Sequence, residues 1–158
     1  MTAANDVVAL LCIIAYALIA IRISVYDTRH QLVRNSDLAI GLGAVGTLVA
    51  VRSIFSQDWE PAIGAVIGAV SMFSVFWLVG KLGQDQLGSG DVGLAALLGL
   101  FLGSWGVTPL VIGWALPFAL AAGPSALVWW RHGRDSHIAF GPFILLSAPV
   151  TLLIASVS

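Results

Sequence analysis

Two aspartates stand out by their setting. Asp91 closes the glycine-rich stretch Gly88-Ser89-Gly90-Asp91, and Asp27 ends the first apolar run. A carboxylate beside hydrocarbon is costly, so an acid at the edge of an apolar segment is a candidate functional group. Brought together, two carboxylates repel, and one keeps a proton near neutral pH while the other ionises. That supplies an acid and a base in one site. The ionised member takes a proton from water, and the water attacks a peptide carbonyl. The protonated member donates to the carbonyl oxygen and then assists the leaving amine. This chemistry calls for no metal, no cofactor and no nucleophilic side chain. Gly88 and Gly90 are expected to allow backbone angles closed to other residues and to clear space beside the carboxylate for an extended substrate. Each half also has a plainer reading. Gly-x-Gly-Asp can be a loop-to-helix turn with Asp91 as a cap or first-turn acid, and Asp27 can be an ordinary helix-end residue.

The elements that must position these acids follow from composition. The chain has 158 residues, 59% hydrophobic and 9% charged, with a mean hydropathy of +0.98. Soluble domains carry roughly 25% charged residues. This chain lacks the polar surface for water and reads as a polytopic, all-α membrane protein. A net charge of −1 argues against a nucleic-acid partner. The single cysteine, Cys12, can form neither an internal disulfide nor a paired-cysteine metal site, and lies in an apolar run as a packing residue. Residues Met1 to Asp6 carry no basic stretch, so the first apolar run is expected to be a retained transmembrane helix and not a signal peptide.

About 20 apolar residues are needed to cross ~30 Å of hydrocarbon. The pattern predicts six spans: Val7 to Tyr26, Leu38 to Ile54, Pro61 to Leu82, one between Gln86 and Ser104, Thr108 to Trp130, and Ile138 to Val157. Pro61, with Asp58 and Glu60 before it, suits a first helical turn. The fourth span is short, since Asp91 to Gly103 covers only about 20 Å of helix. Counting back from Trp105 puts Asp91 about 9 Å below the cytoplasmic boundary. No linker divides the chain, so residues 1–158 are expected to form a single bundle. Arg22, Arg29, Arg34, Lys81, Arg131 and Arg134 fall on one side of this topology and only Arg52 on the other. That asymmetry makes the first side cytoplasmic and both termini extracytoplasmic. Trp59 and Trp105 then mark the outer boundary, and Trp129 and Trp130 the inner one. Gly64-xxx-Gly68 and Gly99-xxx-Gly103 have the spacing of close helix contacts. On this topology Asp27 and Asp91 share the cytoplasmic side and can meet. Helix ends favour the proton on Asp27, at a C-terminus, over Asp91, near an N-terminus.

Gly88-Ser89-Gly90-Asp91 resembles the GxGD motif of intramembrane aspartic peptidases, and within that group the chain resembles the prepilin peptidase (type IV leader peptidase) family. In that family the first aspartate opens a basic cytoplasmic loop usually ending in Ile-Pro-Asn. Here the stretch is Asp27-Thr28-Arg29-His30-Gln31-Leu32-Val33-Arg34-Asn35, with Asp27, Arg29, Val33 and Asn35 at matching places. Near the last helix the family often has Phe-Gly-Pro-Phe, and this chain has Phe140-Gly141-Pro142-Phe143. Two positions depart: Arg34 stands where proline is usual, and Gly93 where Gly-x-Gly-Asp-Val-Lys has lysine. The resemblance implies Asp27 and Asp91 as catalytic residues, with Gly88, Gly90, Asn35 and Arg29 in support or substrate binding. It implies a pilin-like precursor as partner, with a short basic leader cleaved after a glycine, at the cytoplasmic face of the cytoplasmic membrane, just before an apolar helix. Larger relatives carry an N-terminal domain with paired cysteines linked to N-methylation. That domain is not in this chain, so peptidase without methyltransferase activity is expected, as in the compact enzymes of tight-adherence pilus systems.

The remaining polar residues read as structural. Asp85 and the histidines His30, His132 and His137 fit solvated loops, Lys81 an interfacial position, and Asp37 the first turn of the second span. Asn35 fits either loop capping or peptide orientation. Rival readings are a small transporter or proton-relay subunit, against which both acids lie on one side, and a non-catalytic pilus-assembly scaffold. A presenilin-like protease, suggested by Tyr26-Asp27, ranks lower because its Pro-Ala-Leu motif is absent.

Overall fold

The structure is a computed structural model and describes residues 3–30, 33–82, 88–132 and 140–157. Asp85, Arg134 and His137 therefore lie outside the described residues. Six helices follow in order: α1 (Ala3–His30), α2 (Asn35–Ser56), α3 (Glu60–Leu82), α4 (Ser89–Gly103), α5 (Val107–His132) and α6 (Gly141–Val157). Within α1, α2, α3 and α5 lie stretches long and apolar enough to cross a membrane, whereas α4 and α6 are shorter apolar helices. The outward faces of α1 and α3 carry Leu10, Leu18, Ile21, Ile63, Val66 and Val70, all exposed. Such a surface suits lipid and would be a large liability in water.

α4 is the centre. Leu94, Leu97, Leu98 and Leu102 are fully buried, and the helix packs against α3, α6, α2 and α5. A helix apolar all round has to be enclosed by others, and this one is. The seam with α3 is built from four glycines. A Cβ added at Gly64 or Gly68 would run into the carbonyl oxygen of Gly103 or Gly99, and the reverse substitutions meet the oxygens of Gly64 and Gly68. The two small-residue pairs expected to mediate helix contact thus mediate contact with each other.

The other helices lock on through aromatic rings. Tyr16 of α1 stacks on Phe101 of α4 at 4.2 Å between centroids, and its hydroxyl donates to the Leu145 carbonyl of α6 at 3.4 Å. Phe118 of α5 lies between Phe76 of α3, at 4.8 Å, and Phe140 just before α6, at 5.6 Å. Arg22 of α1 pairs with the buried, first-turn Asp37 of α2 at 3.1 Å. At the other end of the bundle, Arg52 lies over the Trp105 ring at 5.0 Å.

Several boundaries differ from those expected. α1 continues past Tyr26 to His30, so Asp27 lies inside a helix and does not open a loop. Local contacts hold the extra turn: Thr28 Oγ1 donates to the Val25 carbonyl at 3.1 Å, and His30 stacks on Tyr26 at 4.2 Å. His30 and His132 are accordingly helix-end and not loop residues. α2 begins at Asn35, three residues before the apolar run at Leu38, because Arg34 takes the extended N-cap conformation and its carbonyl accepts from Asp37 and Leu38. Pro61 does occupy the first turn of α3, where Asp58 Oδ1 accepts from the Glu60 amide at 2.9 Å.

Candidate active site

Asp91 is the third residue of α4, and Gly88 is its N-cap. The Gly88 carbonyl accepts from the amides of Asp91 and Val92 at 3.0 and 3.3 Å. In return, the Asp91 carboxylate turns back toward Gly88, its Oδ2 3.5 Å from where a Cβ on that residue would stand. This is the position an acid takes in a capping box. The capping reading of Gly-x-Gly-Asp is therefore right as local structure. It does not exhaust the residue, because the same carboxylate also feels the charge of Asp27. α1 and α4 thus bring together two acids far apart in sequence, near the same end of the bundle.

Asp27 is only 5% exposed. A carboxylate that deep must be met by donors or share a proton. The first turn of α6 comes up against it at Gly141, and its Oδ2 is buried without a hydrogen-bond partner. Local geometry leaves the Gly141 amide available to it. Phe140 caps α6, its carbonyl accepting from Phe143 and Ile144 at 3.0 and 3.3 Å. Pro142 has no amide proton. The amide of Gly141 is left to face Asp27. An added Cβ at Gly141 would stand 2.5 Å from Asp27 Oδ2 and 3.1 Å from Leu94 Cδ1. Gly141 was not singled out as a site residue from the sequence. Its signal was the Phe140 to Phe143 stretch, to which no role had been attached.

The α6 N-terminus also alters the electrostatic argument for the pair. Asp27 meets the negative end of α1 but also the positive end of α6. Helix ends alone no longer single it out as the protonated member.

The two motif glycines work differently from expectation. Gly88 is extended at φ −65° and ψ 147°, and among the described residues the only glycine with positive φ is Gly106. Neither Gly88 nor Gly90 uses an angle reserved for glycine. At Gly90 the reason is packing: a Cβ there would lie 2.7 Å from Val33 Cβ. The space expected for an approaching substrate strand is filled by Val33, which closes the Asp27-to-Asn35 stretch onto the Gly-x-Gly-Asp turn. Gly93 packs in the same way against the Leu38 side chain of α2.

Asn35 opens α2 and is exposed. Arg29 lies in the last turn of α1, and its side chain is outside the described residues. Arg34 lies over the Tyr26 ring at 5.5 Å. One turn from Asp27 an apolar groove of about 330 Å³ runs between α1 and α6. It extends from Ile13 and Leu152 to Ser24, Val25 and Pro142, within a turn of Asp27 and next to Gly141. A second cavity, of about 400 Å³ around Arg52 and Trp105, lies at the far end of α4.

Comparison with known proteins decides the family. The model of the type IV leader peptidase family matches residues 12–157. The chain belongs to this family. Among its relatives are proteins named prepilin leader peptidase/N-methyltransferase. The chain is 31% identical over 131 residues to that of Stutzerimonas stutzeri, covering 82% of this chain and 45% of the relative. It is 33% identical over 140 residues to that of Dickeya chrysanthemi, covering 86% and 48%, and 32% identical over 132 residues to that of Dichelobacter nodosus, covering 80% and 43%. The chain spans less than half the length of these type IV leader peptidase relatives. No solved structure gives a significant match.

Proposed function

We propose that this chain is a membrane-embedded aspartic endopeptidase that removes the leader of type IV pilin-like precursors. The observation that carries the reading is the convergence of Asp27 and Asp91, from α1 and α4, on one end of the bundle, in a chain of the type IV leader peptidase family. The pair shares a proton, so that one carboxylate activates water and the other protonates the carbonyl oxygen and the departing amine. Gly88 caps the helix that carries Asp91, and Val33 seals the turn over Gly90. In this reading Asn35 and Arg29 bind the leader.

In this reading all six helices span the cytoplasmic membrane, both termini are extracytoplasmic and the acids face the cytoplasm. The bias of lysine and arginine supports that orientation. Substrate arrives within the bilayer. The precursor's apolar segment lies in the groove between α1 and α6, whose cytoplasmic end opens beside Asp27 and Gly141. Confinement in two dimensions and helix packing then supply the alignment that hydrolysis needs.

The test is co-expression with a pilin-like precursor. Leader removal, read by electrophoretic shift and mass spectrometry, is expected with the wild-type chain. An unprocessed precursor beside a folded, membrane-inserted chain would refute the proposal. Orientation is checked separately in a Cys12→Ala background. A cysteine at Ser36 should react with an impermeant thiol reagent only from the cytoplasm, and one at Gln57 only from outside.

A further inference from the structure

We infer that Gly141 is a positioning residue of the site: its backbone amide, at the first turn of α6, orients the Asp27 carboxylate and stabilises its ionised form. The inference rests on Asp27 being one of the two working acids.

Three observations converge. Asp27 is buried with its Oδ2 unpartnered, and the Gly141 backbone is the part of α6 that meets it. The α6 turn is arranged to leave that amide free, since Pro142 lacks a proton and Phe143 and Ile144 are committed to the Phe140 carbonyl. The approach has no slack, because a Cβ at position 141 would crowd both Asp27 and Leu94. The turn is held from behind by Phe140, whose ring is 5.6 Å from Phe118 and 6.4 Å from Phe76. α3 and α5 thereby fix the donor that α6 offers to α1. Among the described residues with charged or titratable side chains, Asp91 faces Asp27 from α4, His30 is turned onto Tyr26, and Arg34 lies over the same ring.

An amide donated to a carboxylate favours the anion, and a helix N-terminus adds to the effect. Losing both should move the titration of Asp27 by about one pH unit, toward higher pH. The experiment isolates each acid and does not depend on cleavage. Infrared spectroscopy follows the protonated-carboxyl band of the purified full chain across pH, as a difference against the Asp27→Asn/Asp91→Asn double variant. In an Asp91→Asn background, Gly141→Ala should shift the Asp27 midpoint upward. In an Asp27→Asn background, the same change should leave the Asp91 midpoint in place. Phe140→Leu, which loosens the clamp without adding bulk at the carboxylate, should shift Asp27 in the same direction by less, and covers the case in which Gly141→Ala does not fold. An Asp27 midpoint unmoved by these substitutions, or an equal shift of both acids, would overturn the inference. A role for Gly141 in packing alone would lower stability without moving the midpoint. A failure of the peptidase reading would show separately, as absent cleavage with the Asp27 shift intact.

Discussion

The α3–α4 seam makes the sharpest structural prediction, through Gly68→Ala. A Cβ at position 68 would overlap the Gly99 carbonyl and come within 3.1 Å of Gly103 Cα. Both obstructing groups are backbone, so no side chain can rotate away. Ordinary carbon–oxygen contact needs roughly 1 Å more than the seam provides. α4 cannot retreat to create it, because Leu94, Leu97, Leu98 and Leu102 are fully packed on its other faces. Forcing a methyl into such a seam costs about 2–3 kcal/mol, the upper part of the range for overpacking. For a chain of this size that corresponds to a fall in Tm of about 4–12 °C. α4 also carries Asp91, and under the proposed function a shift approaching 1 Å at that carboxylate lowers turnover by about 100-fold. The control is Gly43→Ala in α2, where an added Cβ meets nothing within 4 Å. Replacing a helical glycine there should be neutral or stabilise by up to about 1 kcal/mol. Thermal unfolding of both variants in detergent, beside precursor processing, makes the comparison. If Gly68→Ala unfolds at the same temperature as Gly43→Ala and cleaves at the wild-type rate, the close seam is wrong.

The other predictions concern the site and its approaches. Gly90→Ala should abolish most activity by pushing Val33 off the Gly-x-Gly-Asp turn. The obstructing atom is Val33 Cβ, so Val33→Gly should restore cleavage in the double variant whereas Val33→Ala should not. Arg34→Pro should be tolerated, because the residue already has φ −76° at the N-cap of α2. The expected stability change is within about 1 kcal/mol, a gain in chain stiffness set against loss of the contact with Tyr26, and is read by thermal unfolding. Ala20→Phe, which fills the groove between α1 and α6, should raise KM for a full-length precursor several-fold while leaving unchanged the cleavage of a soluble peptide that lacks the apolar segment. Equal effects on both substrates would show that the groove does not hold that segment.

The helical architecture was legible because hydrophobic runs and glycine spacing are local signals. The spacing of Gly64 with Gly68 and of Gly99 with Gly103 marks close helix contact, but that the two pairs meet each other is seen only in the structure. The two acids draw attention in the sequence because a carboxylate in an apolar chain is conspicuous. What escaped was set by tertiary contact. The last turn of α1 is held by Tyr26–His30 stacking and a Thr28 hydrogen bond, neither of which hydropathy registers. Gly90 looked like an opening for substrate, yet Val33 occupies it. Gly88 looked like a conformational requirement, yet its backbone is ordinary and its place is the N-cap of α4. Gly141 could not be assigned a role from its own neighbours, since what it touches is 114 residues earlier in the chain, by the difference between 141 and 27.

The central claim is that Asp27 and Asp91 act as one hydrolytic pair on a pilin-like precursor. The direct measurement uses the purified chain in liposomes with such a precursor, and mass spectrometry of the products over time. Wild-type protein should release the leader at a single bond, and folded Asp27→Asn and Asp91→Asn should each lose essentially all cleavage, the double variant being no worse than either alone. Leader release at the wild-type rate by either folded single variant would contradict the account.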